Sequence, residues 1–209
     1  MIERWSRLFR RNPRHGVFTS THPLWLLSER LLQLADCFYI PEALIWLNNR
    51  VKRNTRELSK EEKALAQAIF GTAIDYAQVR LDEKAQLGCR SGHFAYVGFQ
   101  VINSWGILSD SHFIHEMVHV WQYQRHGASY IACALWAQRT PQGYNYGGIT
   151  AIRTAAEHKL GLESFNYEQQ GDIVADYFRL QKGEKPRWCE PNPEYIRDFQ
   201  KVIRRSIPQ

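Results

Sequence analysis

The chain has 209 residues, with 27 Lys and Arg against 21 Asp and Glu, a formal charge of +6 and 13% aromatic side chains. One domain with a full core is expected at this length. The apolar stretch from residue 24 to 47 is broken by Glu29, Arg30, Asp36, Pro41 and Glu42, which excludes a transmembrane helix.

Residues 1–20 form a basic arm. Arg4, Arg7, Arg10, Arg11 and Arg14 are interleaved with Trp5, Leu8 and Phe9. Such a run reads first as a solvated face, with nucleic acid or an anionic surface as the other possible contact. It is not followed by an uninterrupted apolar run, so no secretory leader is expected. Residues 24–35 and 41–49 read as helices, with Pro41 suited to a first turn. A polar connector spans 48–56. Ser59-Lys60-Glu61-Glu62 opens the next helix with a capping box, and Gly71 ends it. Residues 74–81 and 93–102 read as two strands. A helix over 128–139 precedes a Gly- and Tyr-rich loop, residues 141–148. The segment 182–193 is Pro-rich and irregular, and a basic helix over 194–205 closes the chain. The expected architecture is α+β, mainly helical with a small sheet. Cys37, Cys89, Cys133 and Cys189 are widely spaced without a C-x-x-C, and free thiols are the preferred reading.

Between the second strand and the 128–139 helix stands His115-Glu116-Met117-Val118-His119, an H-E-x-x-H run. Histidines four apart on a helix point the same way, so both imidazoles can reach one metal ion. The intervening Glu116 lies about 100° around the helix, near enough to act on a water at the metal as general base. Ser109, Asp110 and Ser111 are N-cap candidates, and Gly127 is a stop. Ile114, Met117, Val118 and Trp121 form a core-facing arc, with His115, His119 and Gln122 on the adjacent one. His112 and His126 share that arc. However, His126 is seven residues from His119, roughly 10 Å along the axis, too far to share one zinc. Both read as outer or surface groups.

A catalytic zinc takes three protein ligands and leaves a position for water. His158 is one possible third ligand, and a Glu on a later helix is another. The preferred candidate is Glu168, with Glu163 and Glu157 in reserve. Asn166 can cap a helix over 166–178 with Gln169 completing a capping box. Ile173, Val174, Tyr177 and Phe178 then face the core, with Glu168, Asp172 and Asp176 opposite. One turn beyond Glu168, Asp172 could hydrogen-bond a ligating histidine and fix the tautomer of His115. Tyr144 and Tyr146 in the loop are candidate oxyanion or substrate contacts.

The run His115–Gln122, followed by Glu168-Gln169-Gln170, resembles the zincin-like metallopeptidase domains associated with bacterial VgrG and Rhs proteins. Residues 69–80 are similar to that group too, and the likeness covers about 60–180, the expected catalytic core. Gly171, one turn into the second helix, departs from the pattern. The resemblance implies a zincin-like fold, zinc on His115, His119 and Glu168, and a Glu-zincin metallopeptidase or amidase. It also implies an antibacterial toxin of the type VI secretion system, made in the cytoplasm and delivered to the target periplasm. Its substrate would be a protein or the peptide part of peptidoglycan, and its partners a VgrG spike and an immunity protein. Zincin-like folds place an edge strand beside the cleft as a substrate platform, a role for which the 93–102 strand is a candidate, with sheet-core packing alone the preferred reading. The rival reading is a nucleic-acid- or envelope-binding protein on a degenerate, non-catalytic zincin fold. It is motivated by the basic arm, although nucleic acid is the less expected partner.

Overall fold

Local capping chemistry sets the boundaries of the main helices. The computed structural model describes residues 23–41, 43, 54–86, 89–92 and 94–208. Its helices are α1 (Pro23–Cys37), α2 (Lys60–Phe70), α3 (Cys89–Gly92), α4 (Asp110–His126), α5 (Ser129–Ala137), α6 (Gly148–Glu157), α7 (Tyr167–Lys182) and α8 (Ile196–Ser206). Its strands are β1 (Thr55–Glu57), β2 (Arg80–Asp82), β3 (Tyr96–Gly98) and β4 (Val101–Asn103). Ser59 and Glu62 form the expected capping box on α2, and Asn166 and Gln169 form another on α7. The Ser109 hydroxyl caps α4, and Gly127, at φ 74°, closes it. The α+β expectation holds for the described residues, which combine a majority of helix with one small four-stranded sheet.

The strand order is β1-β2-β4-β3, antiparallel except for the central β2–β4 pair. Three expectations about this sheet are corrected. The 48–56 connector ends in a strand, since Thr55 and Arg56 already pair with Asp82 and Leu81. The 74–81 strand is mostly a turn. The Asp75 carboxylate accepts from the Ala77 amide and curls Tyr76–Gln78 into a 3-10 helix, so pairing starts only at Arg80. The 93–102 strand is a hairpin in which Gly98 pairs with Val101 around Phe99 and Gln100. No Asn-Gly signal announces that turn. Phe99 takes the left-handed position itself, at φ 62°, and its ring packs edge-on against Tyr123 at 5.9 Å.

Helix α4 packs most extensively on α7 and also touches α5, β3 and β4. Ile114, Met117 and Val118 are fully buried, and each contributes about 1.5–3 kcal/mol of hydrophobic stabilisation. Helix α7 is buried on nearly every side, from Tyr167 to Phe178. Its acidic face therefore does not meet solvent: Glu168, Asp172 and Asp176 are all buried. Burying three carboxylates on one helix is costly unless each is partnered, and their partners form the site.

Helix α6 was not expected from the sequence; it packs on α8. The 128–139 helix is shorter than expected, and the closing helix begins as a 3-10 turn at Pro193–Tyr195. None of the four cysteines is disulfide-bonded in the structure, in line with the preference for thiols. Among the described residues no helix is long and apolar enough to cross a membrane. The basic arm and most of the 41–49 helix lie outside the described residues.

Candidate metal centre

The packing of α4 on α7 brings the two predicted ligand segments together. His115, His119 and Glu168 offer ligand atoms that all lie within 4.8 Å of one another, and all three residues are buried. The Nε2 atoms of His115 and His119 each lie 3.4 Å from Glu168 Oε2. Two ligands about 2.05 Å from a tetrahedral zinc stand roughly 3.4 Å apart, so this spacing suits that ion. Neither contact is a well-made hydrogen bond. Glu168 Oε2 and Glu116 Oε2 are both buried without a hydrogen-bond partner. Orphaned carboxylate oxygens in a buried site call for a cation or a water.

Each candidate ligand is oriented from behind. His115 Nδ1 lies 2.9 Å from Asp172 Oδ1, the partner expected from the sequence. The carboxylate can only accept there, so Nδ1 carries the proton and Nε2 is left with a lone pair for a metal. His119 Nδ1 lies 2.8 Å from Gln122 Oε1. The Gln122 amide is fixed in turn, donating to the Tyr167 carbonyl and to Gln170 Oε1, each at 3.0 Å. Gln170 donates to the Phe165 carbonyl at 2.9 Å. Gln138, on the turn after α5, donates to Glu168 Oε1 at 2.8 Å and leaves Oε2 directed at the histidines.

Gly171 explains itself here. A Cβ at that position would stand 2.5 Å from His115 Cε1 and 2.7 Å from Nδ1. The imidazole lies in the space that any side chain on that turn of α7 would fill. The departure seen in the sequence is thus a requirement of the site.

The electrostatics follow from burial and proximity. Burial alone would pull His115 down, but its hydrogen bond to Asp172 and the adjacent Glu168 carboxylate outweigh that and push it up to about 10. His119 is raised as well: burial opposes its charge, and Glu168 overcomes it. Burial pushes Glu168 up, yet the two histidines hold its carboxyl well below the usual carboxylate range. The pocket is built around an anion that holds positive charge, whether protons or a metal ion.

The other candidates separate cleanly. Glu157 is exposed, and Glu163 accepts from the Ser206 hydroxyl, away from the centre. His158 is exposed and lies against the Thr154 carbonyl. His126 packs on the Tyr167 ring. His112 sits closer than expected, its Nε2 3.4 Å from Glu116 Oε1. Tyr146 is buried, and its hydroxyl donates to Asp176 Oδ2 at 2.8 Å, so it braces α7 and is unavailable to a substrate. Tyr144 lines the cavity beside the centre, its ring 5.9 Å from that of His115. Burial pushes its phenol up, which keeps it a neutral donor.

Residues that sequence reasoning missed include Trp188, Arg187 and Tyr130. Trp188 Nε1 and Arg187 both donate to Asp172 Oδ2, and the Arg187 and Trp188 amides donate to Asp176. These bonds strap the irregular 184–192 segment over the helix. Tyr130, whose hydroxyl donates to the Val97 carbonyl at 2.5 Å, ties α5 to β3. A cavity of about 890 Å3 opens between β3, α4, α5 and α7, with Glu116 and the three candidate ligands in its wall. β3, one of the two edge strands of the sheet, lies beside it.

In an alignment 142 positions long that covers 62% of this chain, the sequence is 39% identical to the Type VI secretion system spike protein VgrG2b of Pseudomonas aeruginosa. The match supports a relation to VgrG-related proteins. It spans only 13% of the length of VgrG2b. No protein-family model matches the chain, and no solved structure matches it.

Proposed function

We propose that this chain is a zinc-dependent metallopeptidase or amidase of zincin-like fold. His115, His119 and Glu168 hold the metal, and Glu116 is the general base. The observation that carries the reading is the convergence of two Nε2 atoms and one carboxylate oxygen beside a second buried, unpartnered carboxylate. When bound, zinc supplies Lewis acidity that polarises a scissile carbonyl and acidifies water.

The protein's own groups do the rest. Asp172 and Gln122 hold both imidazoles in the tautomer with Nε2 free. Glu116 takes a proton from the attacking water and returns it to the leaving amine, a role worth about 10²–10⁴ in rate. Its contact with His112 steadies the carboxylate at the cavity wall. Tyr144 donates its phenolic hydrogen to the oxyanion, and removing such a donor costs about 10²–10³ in kcat.

The similarity to a type VI spike protein supports an association with that secretion system. In this reading the protein is an effector that cleaves protein or peptidoglycan-peptide bonds in the envelope of a target cell. Unbiased cleavage profiling of the wild type against Glu116→Ala tests it, with zinc measured in both proteins. The expected result is equal zinc and turnover in the wild type alone. A wild-type protein that neither holds nor takes up zinc refutes the proposal. Zinc-independent, salt-sensitive nucleic-acid binding without turnover would favour a binding protein instead.

A further inference from the structure

The cavity carries more charge than the proposed chemistry uses. Of its acidic lining residues, Glu116 and Glu168 face the candidate centre. Asp172 is shared among His115, Trp188 and Arg187. Two guanidinium groups line the same cavity. Arg179 donates through one nitrogen to Asp176 Oδ1 at 2.8 Å, and Arg187 through one nitrogen to Asp172 Oδ2 at 3.2 Å. A guanidinium has five N–H donors, so each has several left over, and neither has another acceptor among the described residues. The Arg187 side chain is 52% exposed, so its spare donors are open to a ligand.

The cationic end has a definite place. The Arg187 guanidinium lies over the Tyr144 ring at 5.5 Å, and the Tyr144 ring is 5.9 Å from that of His115. The guanidinium also lies 4.9 Å from the Trp188 ring. Two aromatic faces and a carboxylate hold its plane in place, so little freedom is lost when it grips a ligand. On the other side, the His119 ring is 6.1 Å from that of Tyr130, which is bonded to β3. Phe94 and Leu135, both exposed, line that cavity too. The cavity therefore has a cationic end beyond His115, and apolar walls by β3 and α5.

We infer that the Arg179–Arg187 end is a carboxylate subsite, and that the site prefers peptides bearing an acidic group near the scissile bond. This rests on the peptidase reading of the same centre. The path from His115 through Tyr144 to Arg187 bounds the separation at roughly 11 Å, or about three extended residues. A carboxylate there meets donors in the fork geometry that binds both its oxygens, whereas an amide of the same shape offers one acceptor and no charge. Arg187 is the specificity-determining residue and Arg179 its support. The carboxylate can belong to an acidic side chain or to a free C-terminus.

A pentapeptide library tests this. One position varies between glutamate and glutamine, and each peptide is made as C-terminal acid and C-terminal amide. Binding is measured by fluorescence anisotropy on zinc-loaded Glu116→Ala protein, and cleavage is followed in parallel with the wild type. Peptides with a carboxylate should bind at least about tenfold more tightly than their amide counterparts. The two arms show whether the side chain or the terminus is read. In Arg187→Gln that ratio should fall to near 1, in Arg187→Lys part of it should return, and raised salt should shrink it. A purely structural loss through Asp172 would weaken acid and amide peptides alike and leave the ratio in place, which overturns the subsite. Equal affinity for both forms, or binding of neither, overturns it as well. Cleavage without acid preference defeats the subsite alone. Acid-selective binding without any cleavage defeats the peptidase reading and leaves the subsite standing.

Discussion

Gly171→Ala is the most informative single substitution, because its two consequences have opposite signs. In an ordinary helix interior, Ala in place of Gly is stabilising by about 0.5–1 kcal/mol. Here the new Cβ would stand 2.5, 2.7 and 2.8 Å from three atoms of the His115 ring. Ordinary contact requires the ring to retreat by roughly 1 Å. It cannot do so freely, since Asp172 on the same helix holds Nδ1 at 2.9 Å. Overpacking of this kind costs about 1–3 kcal/mol, so after the helical gain the net effect on the metal-free fold runs from near zero to a loss of about 2.5 kcal/mol. That corresponds to a fall in Tm of up to about 10 °C for a domain of this size. The metal site is far less forgiving, since a ligand distance is fixed to within about 0.2 Å. Zinc affinity should fall by more than the roughly 100-fold seen when an orienting partner is removed, because the ligand itself is displaced. Competition against a chelator reads the affinity, and thermal unfolding with and without zinc reads the stability. Wild-type affinity together with a raised Tm would refute the reasoning, since it would show Gly171 to be an ordinary helical glycine.

Four further outcomes are expected. Elemental analysis should find zinc retained in Glu116→Ala, Glu163→Ala and Glu157→Ala, and lost in His115→Ala, His119→Ala and Glu168→Ala, because two remaining ligands rarely hold a catalytic zinc. Asp172→Asn should lower zinc affinity or turnover by about 10–100-fold, since His115 Nδ1, Trp188 and Arg187 all lose a charged acceptor. Arg56 grips Glu62 and Glu83, and its guanidinium, with lesser help from Ser59, holds the Glu62 carboxyl below its ordinary value of 4.5. A depressed folded-state pKa gives stability that is present above the unfolded value and lost as pH falls through the folded one. Arg56→Met should therefore lower stability by about 1 kcal/mol at pH 7, with the gap from wild type closing in acid melts below about pH 4. Finally, cytoplasmic expression should be tolerated in bacteria, while fusion to a secretory signal should make the protein toxic. Equal toxicity of Glu116→Ala in the periplasm would point to charge-driven binding instead of hydrolysis.

The sequence by itself determined whatever depends on neighbours three or four residues apart. The caps at Ser59, Ser109 and Asn166, and the stops at Gly71 and Gly127, were all legible because they are closed within a turn of the chain. The shared face of His115 and His119 was legible for the same reason, as was the i, i+4 spacing of Glu168 and Asp172. Only the tertiary structure decided which distant segments meet. The choice of Glu168 over Glu163 and Glu157 depended on how α7 lies against α4, a contact across about fifty residues of chain. The two-residue hairpin at Phe99 and Gln100 was hidden because an aromatic residue takes the left-handed position, held by packing on Tyr123. Tyr144 and Tyr146 looked equivalent in one loop, and the fold gave one to the cavity and the other to Asp176. Gly171 read as an anomaly in a helix because nothing within that helix needs it. The reason lies on α4, in the His115 ring that occupies the space where a side chain would be.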